Sequence, residues 1–134
     1  MDIIYKNKRV NGQTLSQTTT SHRPTVVLRP SQRFYTLAMW DPDAPGASPS
    51  WLHWLVVNIP YGNVEEGNIL VPYAPPTPPP GTGVHRYYFT LYEQSRRIPM
   101  TAAPQSRAGF HPPQWAAHHY ARLLDAKVFQ QKAS

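Results

Sequence analysis

The chain of 134 residues contains no cysteine. That single absence removes a disulfide framework, a thiolate metal site and a cysteine nucleophile, and it suits a reducing compartment. No run approaches the ~20 apolar residues of a membrane span. The opening Met1-Asp2-Ile3-Ile4-Tyr5-Lys6 lacks the apolar stretch of a secretory leader, so a cytoplasmic location is expected. No Gly-x-Ser-x-Gly is present, which removes the serine hydrolases built on that elbow. No pair of histidines stands at the i, i+2 or i, i+4 spacing of a metal site; His118 and His119 are adjacent and diverge on a helix. No metal and no cofactor are therefore expected. The net charge is +6, yet no block of five or six like charges occurs. Dispersed cations of this kind favour acidic partners in general. The aromatics sit at core-like strand spacing, so the pattern does not describe a specific nucleic-acid surface.

What the chain does have is proline, sixteen residues of it. Proline stops helices and central strands, so it must occupy connections, and the result is a strand-and-loop protein. The length sets a single domain over 1–134, with 1–23 the least patterned part. Short apolar stretches at 3–5, 25–28, 33–40, 51–59 and 84–94 read as strands, and 60–71 as a turn-rich connection ending in Ile69-Leu70-Val71. Strict alternation along 51–59 puts Trp51, His53, Leu55 and Val57 on one face and Leu52, Trp54, Val56 and Asn58 on the other. Both faces are largely apolar, as in a strand covered on both sides. Pro113 suits a first helical turn, and Trp115, Ala116, Tyr120, Leu123 and Leu124 follow at helical spacing. They predict an amphipathic helix of about three turns, with 126–130 as a last strand or a tail. The fold class is mainly β.

Two segments carry the functional signal. Asp41-Pro42-Asp43-Ala44-Pro45 precedes Trp51-Leu52-His53-Trp54, and Gly81-Thr82-Gly83 precedes Val84-His85-Arg86-Tyr87. Each places a histidine at the edge of an apolar strand beside a stiff Pro/Gly loop. If the two strands are neighbours, Asp41, His53, His85 and Tyr87 meet in one polar hollow suited to an anion. Asp41 and Asp43 flank Pro42, where turn-forming is the ordinary role of aspartate, and no carboxylate dyad is expected of them. Asp41 is expected instead to orient a histidine and fix its tautomer. Residues 72–80 hold six prolines in nine positions. This is either a polyproline II ligand for a partner or a stiff wall of the hollow.

The same segments, with Trp51 to Asn58, Tyr35-Thr36-Leu37, Tyr92-Glu93-Gln94 and Arg107-Ala108-Gly109-Phe110, resemble the phosphatidylethanolamine-binding protein family. Its branches include the Raf kinase inhibitor protein and the plant flowering-time regulators. The resemblance covers roughly residues 24–130. It implies a central antiparallel sheet with a smaller sheet and one or two short helices. It also implies a pocket for anionic or phosphorylated head groups of phospholipids or modified residues, bound without catalysis. Its wall carries over to Asp41, Pro45, Trp51, His53, Pro78, Pro79, Gly81, Gly83, His85 and Tyr87. In that reading His53, His85 and Tyr87 donate to anion oxygens, and Gly81 to Gly83 let backbone N–H groups approach. Asp41 orients an imidazole or meets an ammonium group. The alternative reading is a protein inhibitor or scaffold that docks a kinase or protease through 72–80 and Arg96-Arg97.

Overall fold

The computed structural model describes residues 1–46 and 49–133, so the expected rigid loop over 41–50 falls outside the described residues at Ala47 and Ser48. Apolar, β-branched stretches bounded by proline and glycine form eight strands: β1 (Asp2–Tyr5), β2 (Lys8–Arg9), β3 (Thr25–Val27), β4 (Tyr35–Asp41), β5 (Trp51–Ile59), β6 (Asn68–Val71), β7 (Val84–Gln94) and β8 (Ala121–Lys132). Every strand pairing is antiparallel. The strands make a three-stranded sheet in the order β2-β1-β3 and a five-stranded sheet in the order β6-β5-β4-β7-β8.

One face of the larger sheet packs on the smaller sheet through Tyr5, Leu37, Met39, Trp54, Phe89 and Phe129. Residues 1–23 belong to this core and are not a loose lead: Ile3, Tyr5, Val10 and Leu15 are buried. The opposite face gathers Leu52, Leu55, Val57, Tyr92, Ile98 and Ala116, covered by the only α-helix among the described residues, α1 (Pro112–His118).

Strict alternation fails along β5. Met39 pairs with Trp54 and Trp40 with Leu52, so one extra residue, His53, bulges from β5. A second irregularity lies between the Tyr35–Ile59 and Leu37–Val56 pairs, where Asn58 has φ 55. The bulge at His53 puts Leu52 on the face of Leu55 and Val57, opposite Trp54 and Val56 on the face of the small sheet. His53 therefore does not share a face with Leu55 and Val57.

The predicted three-turn helix is also corrected. It stops at His118, and Tyr120 turns the chain with φ 57. Leu123 and Leu124 then enter β8, which pairs with β7 from Gln94–Ala121 to Val84–Lys132. A long ladder of backbone hydrogen bonds outweighs the local helical spacing of a few apolar residues. Pro112 and Pro113 open the helix, where a missing N–H costs nothing.

Candidate functional site

Antiparallel pairing brings the C-terminal end of β4, the N-terminal end of β5 and the N-terminal end of β7 to one end of the sheet. There Asp41, Pro45, Trp51, His53, Pro78, Pro79, His85 and Tyr87 surround a cavity of about 290 Å³, joined by Ala44 and Thr77. Asp41, His53, His85 and Tyr87 are each no more than 5% exposed, so the floor is polar yet nearly dry. The ring of Tyr87 neighbours both imidazoles, 5.3 Å from His53 and 6.3 Å from His85.

Each imidazole is fixed by its outer nitrogen. His53 Nδ1 lies 2.7 Å from the Ala74 carbonyl oxygen. A carbonyl only accepts, so Nδ1 carries the proton and Nε2 is left bare while the ring is neutral. Ala74 also donates its backbone N–H to the His53 carbonyl at 2.8 Å, clamping the bulged residue from two sides. Burial, the dominant effect, holds the His53 pKa down at about 4, with Arg107 and His85 adding to it. His85 Nδ1 donates to Asp41 Oδ2 at 2.7 Å. The other Asp41 oxygen accepts the Asp43 N–H at 2.7 Å, closing an Asx turn. Burial pushes the Asp41 carboxyl up, against the pull of these two hydrogen bonds. On the far side, His85 Nε2 lies 2.8 Å from Thr82 Oγ1, and that hydroxyl donates to the Pro79 carbonyl at 2.6 Å. Both ring nitrogens of His85 are thus occupied within a string that runs from Asp41 through Thr82 to Pro79. Tyr87 is held protonated by burial and by the neighbouring Asp41 and Asp43 carboxylates, so it is a donor.

Charge near the cavity is fully spoken for. Arg86 follows His85 but turns outward and grips Asp43 with Nε and an Nη at 2.9 and 2.8 Å. That pairing holds the Asp43 carboxyl below its ordinary value. Arg107 stands 5.2 Å from the Trp51 ring and donates to the carbonyls of Leu52, His53 and Pro72 at 3.1, 3.1 and 2.8 Å. It braces the loops behind the site. Among the described residues, no lysine or arginine lines the cavity.

Two predicted wall residues lie elsewhere. Gly81 and Gly83 do not line the cavity; they sit in the turn before β7 with φ 82 and 80. A Cβ at either would meet nothing within 4 Å. Glycine suits the left-handed backbone there, in the turn that presents Thr82 to His85. Sequence reasoning missed Thr82, Thr77 and Arg107. The polyproline stretch is packed on the site: Pro76 and Pro78 are buried while Pro75 and Pro79 are exposed. No helix among the described residues is long and apolar enough to cross a membrane.

The family model for phosphatidylethanolamine-binding protein matches residues 6–132. The rice (Oryza sativa subsp. japonica) protein MOTHER of FT and TFL1 homolog 2 is 37% identical over 137 aligned positions, covering 96% of this chain and 78% of the rice protein. A 26 kDa secreted antigen of Toxocara canis is 43% identical over 99 residues, which make up 69% of this chain but only 37% of the antigen. Among solved structures, the carboxypeptidase Y inhibitor in complex with its cognate proteinase superposes with a TM-score of 0.81 at 20% identity. It covers 99% of this chain and 82% of its own, which speaks to the fold alone. With the family model spanning nearly the whole chain and the strand order built round this cavity, the chain belongs to the phosphatidylethanolamine-binding protein family.

Proposed function

We propose that the cavity binds an anionic or phosphorylated head group, from a phospholipid or a phosphorylated residue, and does no chemistry on it. The observation that carries this reading is the pair of imidazoles from separate strands beside Tyr87 in one buried hollow. Because no fixed cation lines the hollow, the ligand's charge must be met by a proton on an imidazole. Alternatively, the ligand brings its own ammonium group, for which Asp41 is the counter-ion. Tyr87 and a protonated His53 supply charge-assisted or neutral donors worth about 1–3 kcal/mol each. Asp41, His85 and Thr82 do form a relay with the spacing of a hydrolase triad. Its hydroxyl, however, is directed at the Pro79 carbonyl, which supports binding over catalysis. Replacing His53 and His85 together with alanine abolishes binding of phosphorylethanolamine in calorimetry on this reading; unchanged affinity would sink it.

A second reading is a protein inhibitor or scaffold that docks a protease or kinase. Its support is the likeness in fold to an inhibitor seen bound to its proteinase. Protease inhibition that persists after both histidines are replaced would favour it. The cysteine-free composition supports a cytoplasmic setting; the Toxocara canis relative is called secreted, so cell fractionation decides the location.

A further inference from the structure

The far end of the larger sheet carries a different kind of anion site. β7 leaves the cavity at Tyr87 and ends at Gln94, about 30 Å from His85 at ~3.3 Å per residue, and the Arg96-Arg97 pair follows. This turn is not a free loop. Gln94 Nε2 donates to the Arg96 carbonyl at 3.0 Å. Asn58 receives the Ile98 N–H and donates to the Ile98 carbonyl, both at 2.8 Å, and Ile98 is 2% exposed. The backbone on either side of the two arginines is thus anchored to a buried amide network.

The guanidinium groups are oriented as well. Arg96 lies 4.3 Å from the ring of Tyr120 and Arg97 5.0 Å from that of Phe34. Stacking of this kind spends the face of a guanidinium and leaves its N–H edge for a ligand. Arg9, Arg23, Arg33, Arg86 and Arg122 each reach a carboxylate. Arg96 and Arg97 have no such partner among the described residues. They line a notch of about 150 Å³ with His118, His119 and Tyr120, and no carboxylate lines it with them. Burial and the neighbouring His118 keep His119 below the ordinary imidazole value, so an arriving anion would draw a proton onto it.

We propose that this notch receives a phosphorylated side chain of a partner polypeptide. Two fixed arginine charges match the ~1.5–2 negative charges of a phosphomonoester at neutral pH, and the planar forks suit its oxygens. The surroundings suit a polypeptide more than a lipid surface. Tyr120 is 64% and Met100 56% exposed beside the notch, and Tyr, Met and Arg are the residues that protein interfaces concentrate.

The test is a titration of the isotopically labelled full chain with a capped pentapeptide, Leu-Leu-phosphoserine-Leu-Leu, followed by amide chemical shifts. Shifts at 95–99 and 118–120 are expected. They should survive the double His53→Ala, His85→Ala change. They should weaken about tenfold or more in Arg96→Gln, Arg97→Gln, and less in the lysine pair, which keeps charge but loses the fork. The unphosphorylated peptide should leave them unmoved. The proposal is overturned by shifts confined to the cavity residues, by equal response to the unphosphorylated peptide, by no response at millimolar peptide, or by binding of phosphatidylserine vesicles without the peptide. Because the arms separate cavity from notch, failure here leaves the cavity reading intact, and the reverse.

Discussion

The two ends of the larger sheet carry their basic side chains in opposite ways. At one end His53, His85 and Tyr87 are buried, with no fixed cation on the lining. At the other, Arg96 and Arg97 are permanently charged, exposed and stacked on aromatic rings. A buried imidazole changes its charge with its surroundings; an exposed arginine does not. The cavity end should therefore respond to pH and to loss of single hydrogen-bond partners, the arginine end to ionic strength.

The largest expected effect comes from Asp41→Ala. It strips the buried partner from His85 Nδ1 and the acceptor from the Asp43 N–H. Removing one member of a buried, hydrogen-bonded pair typically costs about 3–5 kcal/mol. Urea unfolding should show a loss of that size, with head-group binding lost as well. A cost under about 1 kcal/mol would mean that the buried Asp41–His85 pair does not hold the cavity end together.

Next in size is the pH dependence of His53. Its pKa in the folded chain is about 4, below the 6.5 of a free imidazole. The unfolded chain therefore binds more protons between those values, and stability rises with pH across that window. It is complete above about 6.5 and falls by about 3 kcal/mol as pH drops to 4, at ~1.4 kcal/mol per unit. His53→Gln should flatten this acid limb in thermal unfolding scans. An anionic head group reverses the preference by favouring the charged ring, so its affinity should strengthen as pH falls from 7 to about 5. Affinity that weakens over that range would show that His53 stays neutral on binding.

Much of this arrangement can be read from the chain, and the exceptions have physical causes. The strands of residues 51–59 and 84–94, the grouping of Asp41 with both histidines, and the role of proline follow from apolar periodicity and from the punctuation of proline and glycine. The bulge at His53 does not, because an extra residue is fixed by pairing with Met39 and Trp40, partners from a distant stretch. The end of α1 departs from the local pattern for the same reason: Leu123 and Leu124 fit a helical stripe locally, but eleven paired positions along β7 and β8 decide otherwise. Arg107 was legible only as one of many scattered cations. Its work on three carbonyls behind Trp51 is a tertiary contact with no local signature. Thr82 stood in view between two glycines, where the glycines suggested ligand approach and the structure shows a turn that aims a hydroxyl at His85.

Thr82→Val tests that turn and should be a smaller change. The methyl group replaces a hydroxyl that meets both His85 Nε2 and the Pro79 carbonyl. One exposed-side hydrogen bond of this kind is worth about 1 kcal/mol. The stability loss should be near that, and the ring nitrogen shifts of His85 should move. Unmoved shifts would mean that Thr82 does not govern the imidazole.

The smallest effect should come from the arginine that the cavity end keeps outside. Arg86 pairs with Asp43 in good two-point geometry, but its side chain is 48% exposed. Such pairs contribute at most about 1 kcal/mol and are screened by salt. Arg86→Gln should shift the urea midpoint slightly at low salt and hardly at all near 0.5 M, a salt level at which the Debye length is only about 4 Å. The Asp43 carboxyl, now held low by Arg86, should rise toward its ordinary value; in the parent chain the stability it adds is fully present above that ordinary value and is lost progressively as pH falls through the lowered one. If Arg86→Gln instead costs as much as Asp41→Ala and ignores salt, charge at the cavity end is not organised by burial, and the contrast with Arg96 and Arg97 fails.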